Sequence, residues 1–192
     1  MILEVVKYGH PVLRQKGAPI EKITPDIKRL IADMLETMHD RHGVGLAAQQ
    51  IGKALQLTVI DVRDVKDRPS VLELKGRPAD PNDIMPLALI NPEIQPTGDA
   101  VTTGEGCLSF PEIYAEISRP GLVDVKALNE KGKPIEFRAG GLLARAIQHE
   151  VDHLNGILFI DRMSRKVKDE IRDELDALQA TTKAELETVR KK

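Results

Sequence analysis

The chain has no tryptophan, only two tyrosines and three phenylalanines, and a single cysteine among its 192 residues. So few aromatic rings argue against a protein that binds nucleic acid by stacking bases on aromatic side chains. One cysteine excludes an internal disulfide, which is typical of a protein in a reducing compartment. The hydrophobic core must therefore be built mainly from aliphatic side chains.

The sequence also lacks a strong charge imbalance and a long apolar run. A formal net charge of -2 argues against broad binding to the phosphate backbone of DNA. No apolar stretch approaches the roughly 18 residues that a membrane span needs, and the N-terminus does not have the pattern of a signal peptide. We expect a cytoplasmic protein without a membrane partner, with residues 1–192 forming one domain.

The most informative motif is the pentad HEVDH, which begins at His149 and ends at His153. On an α-helix, two histidines four positions apart lie on one face, so both imidazoles can bind one metal ion. Glu150 lies about 100° around the helix from His149, where it can reach a metal-bound water without being a ligand. The alternative is a solvated, charged helix face with two incidental histidines.

The residues around the pentad favour a buried helix. Gly140-Gly141 opens the segment, Asn155-Gly156 closes it, and leucine, alanine and isoleucine recur between them at spacings of three and four. A catalytic zinc-type site typically has three protein ligands and one open position. A lone cysteine is usually a small buried apolar residue, but two facing histidines that require a third donor favour Cys107 as a ligand.

Two further motifs accompany the pentad: GVGLAAQQ at residues 43–50 and EGCLS at residues 105–109. In this order and spacing, and with KYGHPVLR at residues 7–14, they resemble the peptide deformylase family over most of the chain. The resemblance implies removal of the N-formyl group from the initiating methionine of nascent peptides. The chemistry of the residues alone indicates metal-assisted amide hydrolysis, because a divalent ion can lower the pKa of bound water to about 7.

The resemblance also assigns roles to individual residues. The implied metal ligands are Cys107, His149 and His153. Ferrous iron is the expected native ion, and Zn²⁺, Ni²⁺ or Co²⁺ can substitute. Glu150 matches the general base and acid, while the Gln50 side-chain amide and the Leu108 backbone N–H match the donors to the developing oxyanion.

The implied substrate contacts form a second set around the metal site. They are Gly43, Val44, Gly45, Glu105, Gly106, Leu142, Arg145 and Ala146, with Thr103 beside them. The resemblance to the family also suggests that Glu105 and Arg119 form an ion pair that braces the Cys107 loop. The implied partners are N-formylmethionyl nascent peptides, and we expect a monomer that does not bind DNA.

Two other functions remain open. A zinc endopeptidase also uses His-Glu-x-x-His, but it would be expected to recruit a further His or Glu after the pentad. No histidine follows His153. A non-catalytic, ribosome-associated module with a structural metal is the second alternative. A closed site needs four ligands, and His10, His39 and His42 follow no recognised ligand spacing.

The pattern of the whole chain predicts an α+β fold, with antiparallel β-sheets wrapped around a central metal-binding helix. An N-terminal helix is expected to start with Thr24 as its N-cap and to end at Gly43. Strands are predicted at 55–61, 113–118, 122–128 and 134–138. Residues 62–86 have little periodicity and read as a long loop without an assigned function.

The last segment, residues 164–192, predicts a charged C-terminal helix with a thin apolar stripe. One interpretation is a solvated helix that packs through this stripe. The other is docking near the ribosomal exit tunnel, because some bacterial members of the family use a C-terminal helix in this way. Arg190-Lys191-Lys192 would supply positive charge for that contact, and the sequence does not decide between the two.

Overall fold

A computed structural model describes residues 1–190, so the predicted terminal charges Lys191 and Lys192 lie outside the described residues. The described chain forms four α-helices: α1 (Pro25–Asp40), α2 (Gly141–Leu154), α3 (Arg165–Glu170) and α4 (Arg172–Arg190). It also forms seven strands: β1 (Gly45–Ala47), β2 (Leu57–Ile60), β3 (Ser70–Leu74), β4 (Arg77–Ala79), β5 (Leu87–Cys107), β6 (Phe110–Leu128) and β7 (Pro134–Gly140).

The strands form one antiparallel sheet in the order β1-β2-β5-β6-β7-β3-β4. Register shifts interrupt the long β5–β6 pair, the last of them between Gly106 and Cys107, and such irregularities bend a strand. Helix α2 packs against β1, β2, β3, β5, β6 and β7, and all of its residues after Gly141 are buried. A helix that is buried all round lies at the centre of a fold. The predicted α+β class with a central helix is confirmed.

Helix α1 begins where its sequence predicts. The hydroxyl of Thr24 accepts a hydrogen bond from the backbone N–H of Ile27 at 3.3 Å, and Pro25 fills the first helical position. The helix ends at Asp40, three residues before the predicted Gly43. Its buried side chains, Met34 and Met38 among them, pack behind β1 and β2 and support the segment that carries the GVGLAAQQ motif.

The prediction that residues 62–86 form a loop is wrong. We call residues 62–86 the excursion. It contains the β3–β4 hairpin and a short 3₁₀ helix at Pro81–Ile84, and β3 pairs with β7. The turn at Lys75-Gly76 has positive φ at both residues, as a tight type I′ hairpin turn requires. Strand β3 has only five residues, and Leu72 alone among them is buried, so the sequence carries no clear alternation of apolar and polar positions there.

The predicted C-terminal helix is interrupted. Ile171 separates α3 from α4, and Leu175 and Thr182 are the buried residues of α4. Leu175 packs in a cluster with Phe110 and Phe159, so the apolar stripe does cover part of the core. None of the helices in residues 1–190 is long and apolar enough to cross a membrane.

Candidate metal centre

The three candidate ligands meet where the end of β5 lies against the C-terminal half of α2. Cys107, His149 and His153 each offer one donor atom, and the three atoms lie within 4.8 Å of one another. Cys107 Sγ is 3.4 Å from His153 Nε2. For a tetrahedral ion with zinc-like bond lengths, a sulfur and a nitrogen ligand are about 3.6 Å apart. The donor set therefore fits a bound divalent metal.

Hydrogen bonds fix the orientation of the first histidine. His149 Nδ1 lies 2.9 Å from Glu105 Oε2, so its Nε2 faces the Cys107 side of the site. A carboxylate partner of this kind fixes the tautomer and the ring orientation of a ligating histidine. Burial lowers the pKa of His153 well below its usual range, which favours the neutral imidazole that metals bind.

Glu105 is held by two buried arginines. Arg119 donates to its two carboxylate oxygens at 2.5 and 3.1 Å, and Arg145 donates at 2.7 Å. The ion pair expected between Glu105 and Arg119 is present. Burial alone would raise the pKa of Glu105, but the hydrogen bonds from His149 and Arg119 lower it below its usual range, so the carboxylate stays charged.

Arg145, which the resemblance names as a substrate contact, makes several hydrogen bonds within the protein. Its guanidinium donates to Glu105 and to the backbone carbonyls of Ile117 at 2.9 Å and Val101 at 2.5 Å. Both of its terminal guanidinium nitrogens are therefore engaged within the protein, and it joins β5, β6 and α2 beside the cavity. This bracing role depends on contacts between distant segments, which the sequence does not reveal.

Glu150 is buried beside the three donors with little surrounding space. Its Oε2 has no hydrogen-bond partner within the described chain, and burial raises its pKa to about 7. A Cβ added at Gly45 would lie 2.7 Å from Glu150 Cδ and Cγ, well inside ordinary contact distance. Because glycine has no Cβ, position 45 leaves space for the Glu150 carboxylate.

Gln50 lies in a short 3₁₀ helix, Ala48–Ile51. Its Oε1 accepts the backbone N–H of Ala47 at 2.9 Å, which turns its Nε2 toward Cys107 Sγ at 3.5 Å and Ser109 Oγ at 3.3 Å. The amide donor is thus oriented toward the candidate metal site. Ser109 was not predicted as a site residue, although it ends the EGCLS motif.

A cavity of about 690 Å³ opens onto this group. Of the predicted site residues, all except His153 and Thr103 line it, and His153 is buried. The inner wall combines apolar side chains such as Val44, Leu142 and Ala146 with Glu150 and the Gln50 amide. A cavity of this kind can hold an apolar side chain while a polar group lies at the metal site.

Comparison with known proteins identifies similar sequences and folds. The sequence profile of the polypeptide deformylase family matches residues 2–169. A peptide deformylase of Methylacidiphilum infernorum is 49% identical over 178 residues, covering 93% of each chain.

Solved structures of peptide deformylases agree with this match. Peptide deformylase 1B of Arabidopsis thaliana, in complex with an inhibitor, superposes with a TM-score of 0.81 at 37% identity, covering 95% of this chain and 93% of that one. The peptide deformylase of Synechococcus elongatus in complex with actinonin gives a TM-score of 0.73 at 39% identity, covering 94% of this chain and 85% of that one.

Proposed function

Because the chain belongs to the polypeptide deformylase family, we propose that the cavity above Cys107, His149 and His153 is a deformylase active site. The protein is a metal-dependent hydrolase that removes the N-formyl group from the N-terminal methionine of nascent polypeptides and releases formate. The observation that carries the assignment of the site is the convergence of three metal-binding donor atoms beside a buried glutamate.

We assign metal binding to Cys107, His149 and His153. A divalent ion held there supplies Lewis-acid activation of water and of the formyl carbonyl. Thiolate and imidazole donors suit iron, nickel, cobalt and zinc alike, so the choice of ferrous iron rests on the resemblance to the family.

Glu150 is the proposed acid-base group. Its carboxylate accepts a proton from the attacking water and returns it to the amine of methionine as the C–N bond breaks. A pKa of about 7, raised by burial, suits both steps near neutral pH. A side chain with this role typically contributes about 10²- to 10⁴-fold in rate.

Gln50 and Leu108 are the proposed donors to the developing oxyanion. Ala47 and Ser109 hold the Gln50 amide in place, so its Nε2 is oriented before the substrate arrives. The loss of one such donor typically costs about 2.7 to 4 kcal/mol. The methionine side chain would lie along Val44, Leu142 and Ala146, with backbone contacts from Gly43, Gly45 and Gly106.

We further propose that residues 1–192 act as one domain and as a monomer in the cytoplasm, where nascent chains are made. The three donors and the cavity lining come from one copy of the chain, so the described site needs no residue from a second copy. Docking to the ribosome through α4 is proposed from the resemblance alone. Its exposed, charged surface leaves side chains available for such a contact.

The decisive experiment compares two tripeptides with metal-loaded enzyme. N-formyl-Met-Ala-Ser should yield formate and a free amine. N-acetyl-Met-Ala-Ser should react far more slowly, because its extra methyl group must fit where formyl carries only hydrogen. Cleavage of internal bonds without formate would identify a peptidase, and failure of both substrates with full metal occupancy would favour a non-catalytic module.

A further inference from the structure

Three cationic side chains, all at least partly exposed, are among the residues that line the active-site cavity. Lys7, Arg41 and Arg68 lie there, and Glu112 contributes the carboxylate at the same rim. We call Lys7, Arg41 and Arg68 the cationic rim. With the formyl group near Glu150 and the methionine side chain against the apolar part of the lining, the residues that follow methionine would pass this rim as they leave the cavity.

Neutral oxygens accept the hydrogen bonds of two of these cations. Lys7 Nζ donates to the backbone carbonyl of Leu108 at 3.0 Å, while Arg68 donates to the Gly104 carbonyl at 3.3 Å and the Thr103 hydroxyl at 3.0 Å. The third cation, Arg41, pairs with Asp40 at 3.4 Å, but both groups are exposed, and such pairs are weak. Burial and the neighbouring Arg41 both lower the pKa of Lys7, so these two cations repel each other.

The excursion holds Arg68 in position. Directly after it, the carbonyl of Pro69 accepts the N–H of Leu142 at 3.0 Å, and the hydroxyl of Ser70 accepts the N–H of Leu143 at 3.1 Å. Arg68 is thus fixed between β5 and the start of α2. Residues 62–86 therefore contribute a side chain to the cavity lining, which their sequence did not indicate.

From this arrangement we propose that the cationic rim selects nascent chains whose second and third residues are acidic. The inference rests on the proposed deformylase function and adds a substrate preference to it. Carboxylates at these positions would neutralise cations that line the same cavity, two of which, Lys7 and Arg41, are near enough to repel each other. Since these cations would contact the residues after methionine and not the formyl group itself, the effect should appear mainly in KM, with kcat little changed.

The test uses the metal-loaded enzyme with formyl-Met-Ala-Ser, formyl-Met-Asp-Glu and formyl-Met-Lys-Lys. We expect kcat/KM for the acidic peptide to exceed that for the basic peptide by at least about fivefold at low salt. The ratio should shrink as salt screens the rim. The ratio of the two kcat/KM values should fall in Arg68→Gln. Arg77 is exposed, belongs to the same excursion and does not line the cavity, so in Arg77→Gln the ratio should stay at the wild-type value.

Equal kcat/KM for the two charged peptides would overturn the proposal, as would a preference unaffected by both salt and Arg68→Gln. An equal fall in Arg77→Gln would also overturn it, because net charge would then explain the effect. The salt series needs no variant, so the test holds even if Arg68→Gln folds poorly. If the proposed deformylase function is wrong, none of the three peptides should react. Turnover of formyl-Met-Ala-Ser therefore shows that only the proposed substrate preference has failed.

Discussion

Substitution of Gly45 by alanine should damage catalysis without removing the metal. The new methyl group would lie 2.7 Å from Glu150 Cδ and Cγ, whereas carbon atoms in ordinary contact are about 3.5 to 4.0 Å apart. Strand pairing holds Gly45 opposite Ile60, so its backbone cannot easily retreat. The buried Glu150 side chain must therefore move by about 1 Å, and a misplacement of that size can cost about 10²-fold in rate.

The assay measures kcat for formyl-Met-Ala-Ser together with metal content and melting temperature. We expect kcat to fall by about 10²-fold while each chain keeps its metal, because the added methyl is directed at Glu150. Gly104→Ala is the matched control, since its Cβ meets nothing within 4 Å although Gly104 lines the same cavity; it should lose much less activity. Wild-type kcat in Gly45→Ala, or loss of metal from it, would refute the reasoning.

Three further outcomes are expected. Glu150→Gln should retain one metal per chain while kcat falls by at least about 10²-fold, and loss of metal would instead make Glu150 a ligand. If iron is native, enzyme prepared in air should lose activity by oxidation of iron or Cys107, and an anaerobic preparation should keep it; equal activity of aerobic zinc enzyme would contradict this. Leu175→Ala should lower the free energy of unfolding by about 2 to 5 kcal/mol in denaturant titrations, yet a folded sample should still process the tripeptide. An inactive but folded, metal-loaded Leu175→Ala would mean that α4 takes part in catalysis.

Local signals in the sequence predicted the helices best. Thr24 and Pro25 marked the start of α1, and the glycines at 140 and 141 marked the start of α2, because capping depends on the residues at the helix end itself. The strand β5 was not predicted as a whole. Prolines and a glycine at 92, 96 and 98 interrupt its pattern, and pairing with β6, which begins three residues after β5 ends, stabilises it despite them.

The site residues also differ in this respect: local sequence patterns predicted some of them, whereas others depend on contacts between distant segments. The spacing of His149 and His153 on one helix could be read directly, as could the choice of Cys107 as the chain's one cysteine. The environment of Arg145 could not be read, because its partners Val101 and Ile117 lie on strands 44 and 28 residues away. The cationic rim likewise combines segments that meet only in the folded protein.

The separation of the proposed metal ligands along the chain also bears on the lifetime of the protein in the cell. Cys107 and His153 are 46 residues apart, so only the folded chain brings them together. A metal that binds the folded but not the unfolded chain stabilises it, by about 4 kcal/mol when its free concentration is a thousand times its Kd. Copies that lack metal would unfold more often and be degraded sooner by cellular proteases. The abundance of this enzyme should therefore follow the metal supply, independently of any control of its synthesis.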